Sequence, residues 1–346
     1  MNPLRIVQVG LGPHGRNWAK RVIPDIKEAE VVAFIDTDPQ AIELLREEAK
    51  VPADRCFESL KEAIAATQPE AVLITTALPS HVPVIEAGLD AGLHVLVEKP
   101  FAPSVAAGRQ LVDAAAAKGL VLMVSQNYRF FPAPRALAAL VRESALGRLH
   151  EVSIDFRRYS PGWGRHQLEE QPLLVDMSIH HFDLLRLIID REPARIYCEA
   201  WNPEWTTFTG PTVAVASIVF EGGVVVSYRG SWISAGPVTP WAGDWRLEFE
   251  NGEVVWTSRE DDGILRDKVV IRPREGKART VALPSMTWTG PWGTFAAFAS
   301  AVRTGAEPET SGRNNLGTLA LTAAIVDSAT RREPVVISRS GEALAI

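Results

Sequence analysis

The stretch that most constrains the fold lies near the amino end, where an apolar run meets a cluster of glycines. Residues 4–9 are typical of a buried β-strand, and they lead directly into GLGPHG at residues 10–15. A helix is predicted from there through about residue 22. The spacing G-x-G-x-x-G permits a tight turn, a close approach of backbone to a pyrophosphate, and close helix–strand packing. The candidate cofactor-binding residues of this motif are Gly10, Gly12, Pro13, His14 and Gly15.

Asp36 closes the second predicted strand, which covers residues 31–35. Dinucleotide-binding units have an acidic residue at about this spacing along the sequence from the glycine cluster, and it accepts hydrogen bonds from the adenosine ribose. A carboxylate at this point would repel a 2′-phosphate, so the pattern favours NAD over NADP as the cofactor. The alternative is that Asp36 is a turn residue in the stretch DTDP at residues 36–39.

Strands and helices alternate through residue 124. Further strands are predicted at residues 71–75, 94–97 and 121–124, with helices between them. Strands that are apolar throughout and alternate with helices indicate a parallel sheet covered on both faces. Residues 1–124 are therefore predicted to form a doubly wound nucleotide-binding domain.

The remainder, residues 125–346, has a different pattern. β-like runs recur between residues 195 and 272, and turn signals such as Glu221-Gly222-Gly223 and Asn251-Gly252 separate them. These features indicate hairpins and an antiparallel sheet. The predicted fold class is thus α/β, with the parallel nucleotide-binding domain followed by an α+β domain.

Lys99 stands at the end of the strand predicted at residues 94–97, in the sequence Glu98-Lys99-Pro100. Ligands of doubly wound sheets bind beyond the carboxyl ends of the strands, so Lys99 is expected to project toward the cofactor cleft. There it would be suited to proton transfer. The alternative is a surface lysine in a strand-ending turn.

A second candidate for proton transfer lies in DMSIHHFD at residues 176–183. If this stretch is α-helical, Asp176 and His180 lie about 40° apart around the axis and Asp183 falls between them. One helix face would then carry an imidazole between two carboxylates, as a general base requires. The alternative is that Asp176 caps the helix and His180 belongs to the core.

Composition narrows the class of protein. The chain has 346 residues, a formal net charge of −6, 46% hydrophobic and 23% charged residues. These values are typical of a soluble globular protein and argue against a nucleic-acid or anionic-membrane partner. The two cysteines, Cys56 and Cys198, lack a paired metal spacing, so no metal site is expected. The sequence near the amino end does not match a signal peptide, and a cytoplasmic enzyme is expected.

Several motifs occur together in the order seen in one known family. They are the glycine cluster, Thr76 with His81, AGLHV at residues 91–95, Glu98-Lys99-Pro100, and Asp176 with His180 and Asp183. In this order the chain resembles the glucose-fructose oxidoreductase, inositol dehydrogenase and MocA (Gfo/Idh/MocA) family over nearly its whole length. The resemblance implies an amino-terminal Rossmann domain that binds NAD. It also implies a carboxy-terminal α/β domain whose large, mostly antiparallel sheet serves a homodimer or homotetramer.

The resemblance also implies roles for single residues. Lys99, Asp176 and His180 correspond to the catalytic set, and Thr76, His81, Glu98, Lys99 and Asn127 to cofactor-binding positions. Candidate substrate-binding residues are Lys99, Asp176, His180, Tyr128, Arg129, Arg157, Trp163 and Arg165. Departures from the family pattern at Thr76-Ala77-Leu78, Gln171-Pro172 and Ser178 bear on the substrate more than on the fold.

The expected reaction is hydride transfer between NAD and a carbinol carbon of a sugar, sugar derivative or polyol. The candidate arginines would also suit an anionic substrate, because arginine binds oxyanions bidentately. Two alternatives share the same motifs. The first is an NAD-dependent glycosidase that oxidises, eliminates and re-reduces its substrate without net redox. The second is a non-catalytic sensor of NAD and sugar, which would not need to keep an acid–base set.

Overall fold

The computed structural model describes residues 2–160, 170–257, 267–337 and 343–345. The chain divides into two compact units. The first comprises Met1–Phe130 and Thr287–Leu316, and the second comprises Phe131–Met286 and Gly317–Ile346. The sequence prediction instead placed one boundary after residue 124.

The difference lies mainly in residues 287–316, which return to the first unit. Backbone N–H of Val124 donates to the carbonyl oxygen of Thr310 over 2.9 Å. The Thr310 hydroxyl donates in turn to the carbonyl oxygen of Val124 over 2.8 Å. These contacts join positions that are 186 residues apart in the sequence, so a local pattern cannot reveal them.

The first unit contains a parallel sheet with the strand order β3-β2-β1-β4-β5-β6. This is the order of a dinucleotide-binding Rossmann domain, in which the sheet is wound in both directions from β1. The strands are β1 Leu4–Val9, β2 Ala29–Ile35, β3 Cys56–Phe57, β4 Ala71–Ile74, β5 His94–Glu98 and β6 Leu122–Ser125. The predicted parallel domain is confirmed.

Helices connect these strands. They are α1 Pro13–Asn17, α2 Pro39–Ala49, α3 Leu60–Thr67, α4 His81–Asp90 and α5 Val105–Ala117, and α1 continues as a π-helical turn Trp18–Val22 and a 3-10 turn Ile23–Asp25. Side-chain oxygens of Asp38, Ser59 and Ser104 accept hydrogen bonds from the first turns of α2, α3 and α5. Such caps satisfy backbone donors that have no partner within the helix, and they fix where each helix begins.

The second unit is built on a mostly antiparallel sheet, as predicted. In the described ranges ten strands follow the order β14-β13-β12-β11-β7-β10-β9-β8-β15-β16, and β7 with β10 is the parallel pair. The strands are β7 Leu149–Arg157, β8 Pro193–Trp201, β9 Val213–Phe220, β10 Val225–Ser231, β11 Asp244–Phe249, β12 Gly252–Thr257, β13 Lys268–Pro273, β14 Arg279–Thr280, β15 Val335–Ile337 and β16 Ala343–Ala345. Buried and exposed residues alternate along β9 and β10, so one face of the sheet is packed.

The remaining helices are α6 Pro132–Arg142, α7 Ser178–Ile189, α8 Gly290–Thr304 and α9 Gly312–Arg331. A π-helical segment, Pro172–Met177, leads directly into α7. Searched over the described residues, the chain shows no helix with the length and apolar character needed to cross a membrane.

Candidate active site

The glycine-rich turn after β1 requires glycine at two positions for steric reasons. Gly10 has a φ of +98°, and a Cβ added there would lie 2.6 Å from the backbone nitrogen of Thr76. A Cβ at Gly15 would lie 2.0 Å from the carbonyl oxygen of Gly10. Gly12 is different, because a Cβ there would meet no atom of the described residues within 4 Å. Gly10 and Gly15 therefore permit close packing, whereas Gly12 keeps the space beside the turn open.

The buried side chains of Gln8 and Thr75 form hydrogen bonds to the backbone of this turn, and neither was predicted from the sequence. Gln8 Nε2 donates to the carbonyl oxygen of Gly15 over 2.8 Å and lies 3.1 Å from Thr75 Oγ1. The Thr75 hydroxyl is also 2.7 Å from the carbonyl oxygen of Gly10. Gln8 is fully buried. A glutamine among the buried residues of a mostly apolar strand was the available signal, because a buried amide must find partners.

Asp36 joins the glycine-rich turn to the end of β2. Its Oδ2 accepts a 2.6 Å hydrogen bond from the backbone N–H of Leu11, and its Oδ1 accepts one of 3.0 Å from that of Asp38. Each carboxylate oxygen has a further lone pair for a hydroxyl donor. The half-buried carboxylate is therefore held in place beside the turn.

Glu98, at the end of β5, faces the helix that follows the turn. Its Oε1 accepts a 2.9 Å hydrogen bond from Trp18 Nε1 and lies 3.0 Å from His14 Nε2. Burial alone would raise the pKa of Glu98. The imidazole of His14, the charge of Lys99 and the indole N–H of Trp18 outweigh burial and lower that pKa below its ordinary value. Glu98 is thus an ionised carboxylate at neutral pH.

Lys99 follows Glu98 and is half-buried, and the Lys99–Pro100 peptide bond is cis. His81 lies beside this turn rather than on the surface. Its Nδ1 is 2.9 Å from the carbonyl oxygen of Pro100, and its Nε2 is 3.1 Å from that of Thr76. The buried imidazole therefore joins the turn after β5 to the turn after β4. The cofactor contact that the resemblance implies for His81 stays a prediction.

These residues fit a bound NAD. Thr76 Oγ1 and Asn127 Oδ1 are buried polar atoms that have no hydrogen-bond partner in the part of the chain that the structure describes. Buried polar atoms of this kind call for a partner. Together with the open side of Gly12 and the fixed carboxylate of Asp36, they provide groups for the phosphates, the ribose and the carboxamide of a dinucleotide.

In the second unit, the predicted general base lies where α7 begins. His180 is in the first turn of α7 and is 8% exposed, while Asp176 lies in the preceding π-helical segment and is half-buried. The estimate of 40° between them assumed a continuous α-helix and does not apply, because a π-helix closes its hydrogen bonds over five residues rather than four.

The other two polar residues of this motif have structural contacts. His181 is fully buried, with Nδ1 at 3.2 Å from Tyr228 Oη and Nε2 at 3.1 Å from the carbonyl oxygen of Trp241. Asp183 Oδ1 accepts a 2.7 Å hydrogen bond from the hydroxyl of Thr318 in α9. Asp183 therefore anchors α7 to α9.

The candidate substrate-binding residues differ in their surroundings. Arg129 is buried in the first unit, 3.9 Å from Glu309, and Tyr128 beside it is half-buried. Arg157, on β7, pairs with Asp155 over 2.9 Å. Trp163 and Arg165 lie outside the described residues. Among the residues described, no group of histidine, cysteine, aspartate or glutamate is placed to hold a metal ion.

Comparison with known proteins agrees with this geometry. Residues 4–126 match the model of an oxidoreductase family with an NAD-binding Rossmann fold, and residues 135–255 match the GFO/IDH/MocA C-terminal domain. The chain is 29% identical to a D-apiose dehydrogenase of Paraburkholderia graminis, with 98% of this chain and 91% of that protein aligned.

Two solved structures share the fold. An aldose-aldose oxidoreductase from Caulobacter crescentus superposes with a TM-score of 0.83 at 20% identity, covering 96% of this chain and 99% of that one. An inositol dehydrogenase homolog from Azotobacter vinelandii, complexed with NADH and myo-inositol, gives 0.80 at 18% identity, covering 95% and 96%. The family match confirms the predicted NAD-binding domain, and the chain belongs to the Gfo/Idh/MocA family of NAD-binding oxidoreductases.

Proposed function

We propose that this protein is a dehydrogenase that uses NAD to oxidise a carbinol carbon of a sugar or polyol, or to catalyse the reverse reduction. The observation that carries the proposal is the position of Lys99. It follows β5, and the glycine-rich turn follows β1 of the same parallel sheet. Parallel strands end at one edge, so a half-buried amine and the cofactor turn share the edge at which such sheets bind ligands.

Relatives support the choice of substrate class. The D-apiose dehydrogenase aligns with nearly the whole chain, and a second relative, from Ensifer adhaerens, is a 1,5-anhydro-D-fructose reductase that is 24% identical over 93% of this chain. Both names describe redox chemistry at a carbon that bears oxygen in a carbohydrate. A small polyhydroxylated substrate is therefore proposed for this chain as well.

Bound NAD supplies or accepts the hydride. The protein's part is to move a proton and to stabilise charge on oxygen. In this proposal a ring nitrogen of His180 accepts the proton of the substrate hydroxyl, and Asp176 stabilises the imidazolium that forms. Lys99 Nζ donates a hydrogen bond to the oxygen on which negative charge develops. Asp36 favours NAD because a 2′-phosphate would face its carboxylate.

The proposal is tested with a panel of sugars, inositols, sugar acids and glycosides in the presence of NAD. NADH is followed by absorbance, and products are separated by chromatography. Stoichiometric NADH and oxidised sugar would support the dehydrogenase. Release of an aglycone from a glycoside without net NADH would refute it in favour of the redox-neutral glycosidase, and absence of turnover across the panel would favour a sensor.

Variants test the residue roles. Lys99→Met and His180→Ala should each still bind NAD but lose about 10²- to 10⁴-fold in turnover, the usual contribution of a positioned acid or base. Lys118→Met and His150→Ala are matched controls, because both side chains are exposed and lie outside the site. If either active-site variant turned over substrate as fast as its control, the role assigned to that residue would be wrong.

A further inference from the structure

One carboxylate oxygen joins three parts of the first unit. Glu98 Oε1, at the end of β5, accepts the indole N–H of Trp18 over 2.9 Å and lies 3.0 Å from Nε2 of His14. His14 is in the glycine-rich turn, and Trp18 begins the π-helical turn that continues α1. The residue after Glu98 is Lys99. A single side chain thus links the turn proposed to hold NAD with the backbone that carries the proposed catalytic amine.

The three side chains lie within hydrogen-bond distance of one another. Trp18 Nε1 always carries a hydrogen and donates it to Glu98 Oε1 over 2.9 Å. The same indole nitrogen is 3.2 Å from His14 Nε2, which is 3.0 Å from Glu98 Oε1. The carboxylate and the indole therefore fix the position of the imidazole from two sides.

The three side chains of this cluster differ in burial: Trp18 lies in the protein interior, and His14 is exposed. The Trp18 side chain is 1% exposed and packs edge-on against Phe295 at 5.9 Å between ring centroids. The Glu98 side chain is 13% exposed, and that of His14 is 59% exposed. The carboxylate is therefore fixed by the protein interior, and it presents the imidazole at the surface of the turn.

We propose that Glu98 is a positioning residue that acts in two directions, holding His14 in place for the anionic phosphates of NAD and fixing the end of β5 from which Lys99 extends. The inference rests on the proposed role of Lys99 but not on the identity of the sugar. An imidazole held at this turn can donate a hydrogen bond to a phosphate oxygen, and loss of the carboxylate would release the imidazole. Glu98 thereby couples NAD affinity to the placement of the amine.

The test is a double-mutant cycle on the full-length protein, with His14→Ala, Glu98→Gln and the double variant. Glutamine keeps an oxygen for the Trp18 N–H, so the fold should be retained. The Kd for NAD is measured by calorimetry, and the Tm is measured without cofactor. Each single change should weaken NAD binding about tenfold, the factor that one charge-assisted hydrogen bond supplies. The double variant should be no weaker than the singles, because both remove the same interaction.

Turnover at saturating NAD separates the two proposed roles of Glu98, which are to hold His14 and to fix the end of β5. Glu98→Gln should also lower kcat, whereas His14→Ala should raise the KM for NAD and leave kcat unchanged. Glu48→Gln is the matched control. Glu48 pairs with Lys20 and Arg16, which lie in the same helical segment as His14 and Trp18, but it makes no described hydrogen bond to β5. Its Kd for NAD and its kcat should equal those of the wild type.

Two results would overturn the inference. Effects of His14→Ala and Glu98→Gln on the Kd that multiply would show that the residues act independently. A Glu98→Gln variant with a lower Tm but wild-type Kd and kcat would show that the carboxylate contributes to stability alone. The Kd measurements need no sugar. If the wild type oxidises none of the sugars tested, the proposed function is refuted. Effects on the Kd that do not multiply would still support the pairing of Glu98 with His14.

Discussion

The backbone N–H of Leu11 donates a 2.6 Å hydrogen bond to Oδ2 of Asp36. The middle of the glycine-rich turn is therefore attached to the acidic residue that ends β2. Both halves of the dinucleotide fingerprint are therefore joined by a direct hydrogen bond. Asp36 thus shapes the turn, in addition to providing oxygens for a ribose.

Replacement of Asp36 should change cofactor preference. Asp36→Ala removes the acceptor for Leu11 N–H and the charge that would face a 2′-phosphate. The Kd for NAD should rise at least about tenfold, and the preference for NAD over NADP should fall by a similar factor. Calorimetric titration with each dinucleotide measures both values.

Asp38→Ala is the control for that experiment. Its side chain caps α2 by accepting from Gln40 N–H over 2.9 Å, so the variant should lose about 1 kcal/mol of unfolding free energy. Its NAD-to-NADP preference should not change. Equal loss of preference in both variants would contradict the specific role of Asp36.

Gly12 and Gly15 should respond differently to the same substitution. Gly12→Ala should fold with the wild-type Tm, because its φ of −58° suits alanine and the added methyl meets no described atom. Its NAD binding should weaken at least about tenfold, because the methyl enters the space kept for the pyrophosphate. Gly15→Ala should lower the Tm markedly, because its Cβ would overlap the Gly10 carbonyl oxygen. Wild-type NAD binding by Gly12→Ala would place the phosphates elsewhere.

The hydroxyl of Thr318 should contribute measurably to stability. It donates to Asp183 over 2.7 Å and accepts from Arg186 Nη1 over 2.9 Å, so it lies between two charged groups. Thr318→Val keeps the shape of the side chain but removes both hydrogen bonds, at a cost of about 1–3 kcal/mol in urea unfolding.

Thr322→Val tests whether that loss is specific. The Thr322 hydroxyl donates to the carbonyl oxygen of Thr318, four residues earlier in the same helix. Because such bonds add little to a helix, this variant should cost less than about 1 kcal/mol. Equal losses in the two valine variants would argue against the link between α7 and α9.

Ionised Glu98 should make stability depend on pH. The pKa of Glu98 is lowered from its ordinary value of 4.5 in the folded protein, so the folded state favours the carboxylate. Its contribution is complete above that value and is lost as the pH falls below it. The Tm difference between wild type and Glu98→Gln, measured without cofactor, should therefore narrow as the pH falls below 4.5. A constant difference would show that the charge makes no contribution.

Much of the first unit could be predicted because its strands are continuous apolar runs that glycine, proline and capping residues interrupt. Prediction placed strands at residues 4–9 and 94–97, and the structure has Leu4–Val9 and His94–Glu98. The Asn251-Gly252 turn likewise marked the β11–β12 hairpin correctly.

Other features depend on contacts that no local pattern contains. The π-helical segment Pro172–Met177 has nearly the same apolar spacing as an α-helix, so the position of Asp176 relative to His180 was not predictable. The parallel pairing of β7 with β10 joins residues about seventy positions apart. The partners of Glu98 were also hidden, because His14 and Trp18 are at least eighty residues earlier in the chain.

The return of residues 287–316 to the first unit affects how the protein is made. β6 is the last strand of the parallel sheet, and Met123 in β6 pairs with Ser311. A ribosome that has completed residues 1–130 has therefore produced a sheet whose final edge is still uncovered. Uncovered edges pair readily with other chains. The β6 edge therefore gains this partner only after residues 287–316 have been synthesised, and a chaperone that shields β6 during this interval should improve the yield.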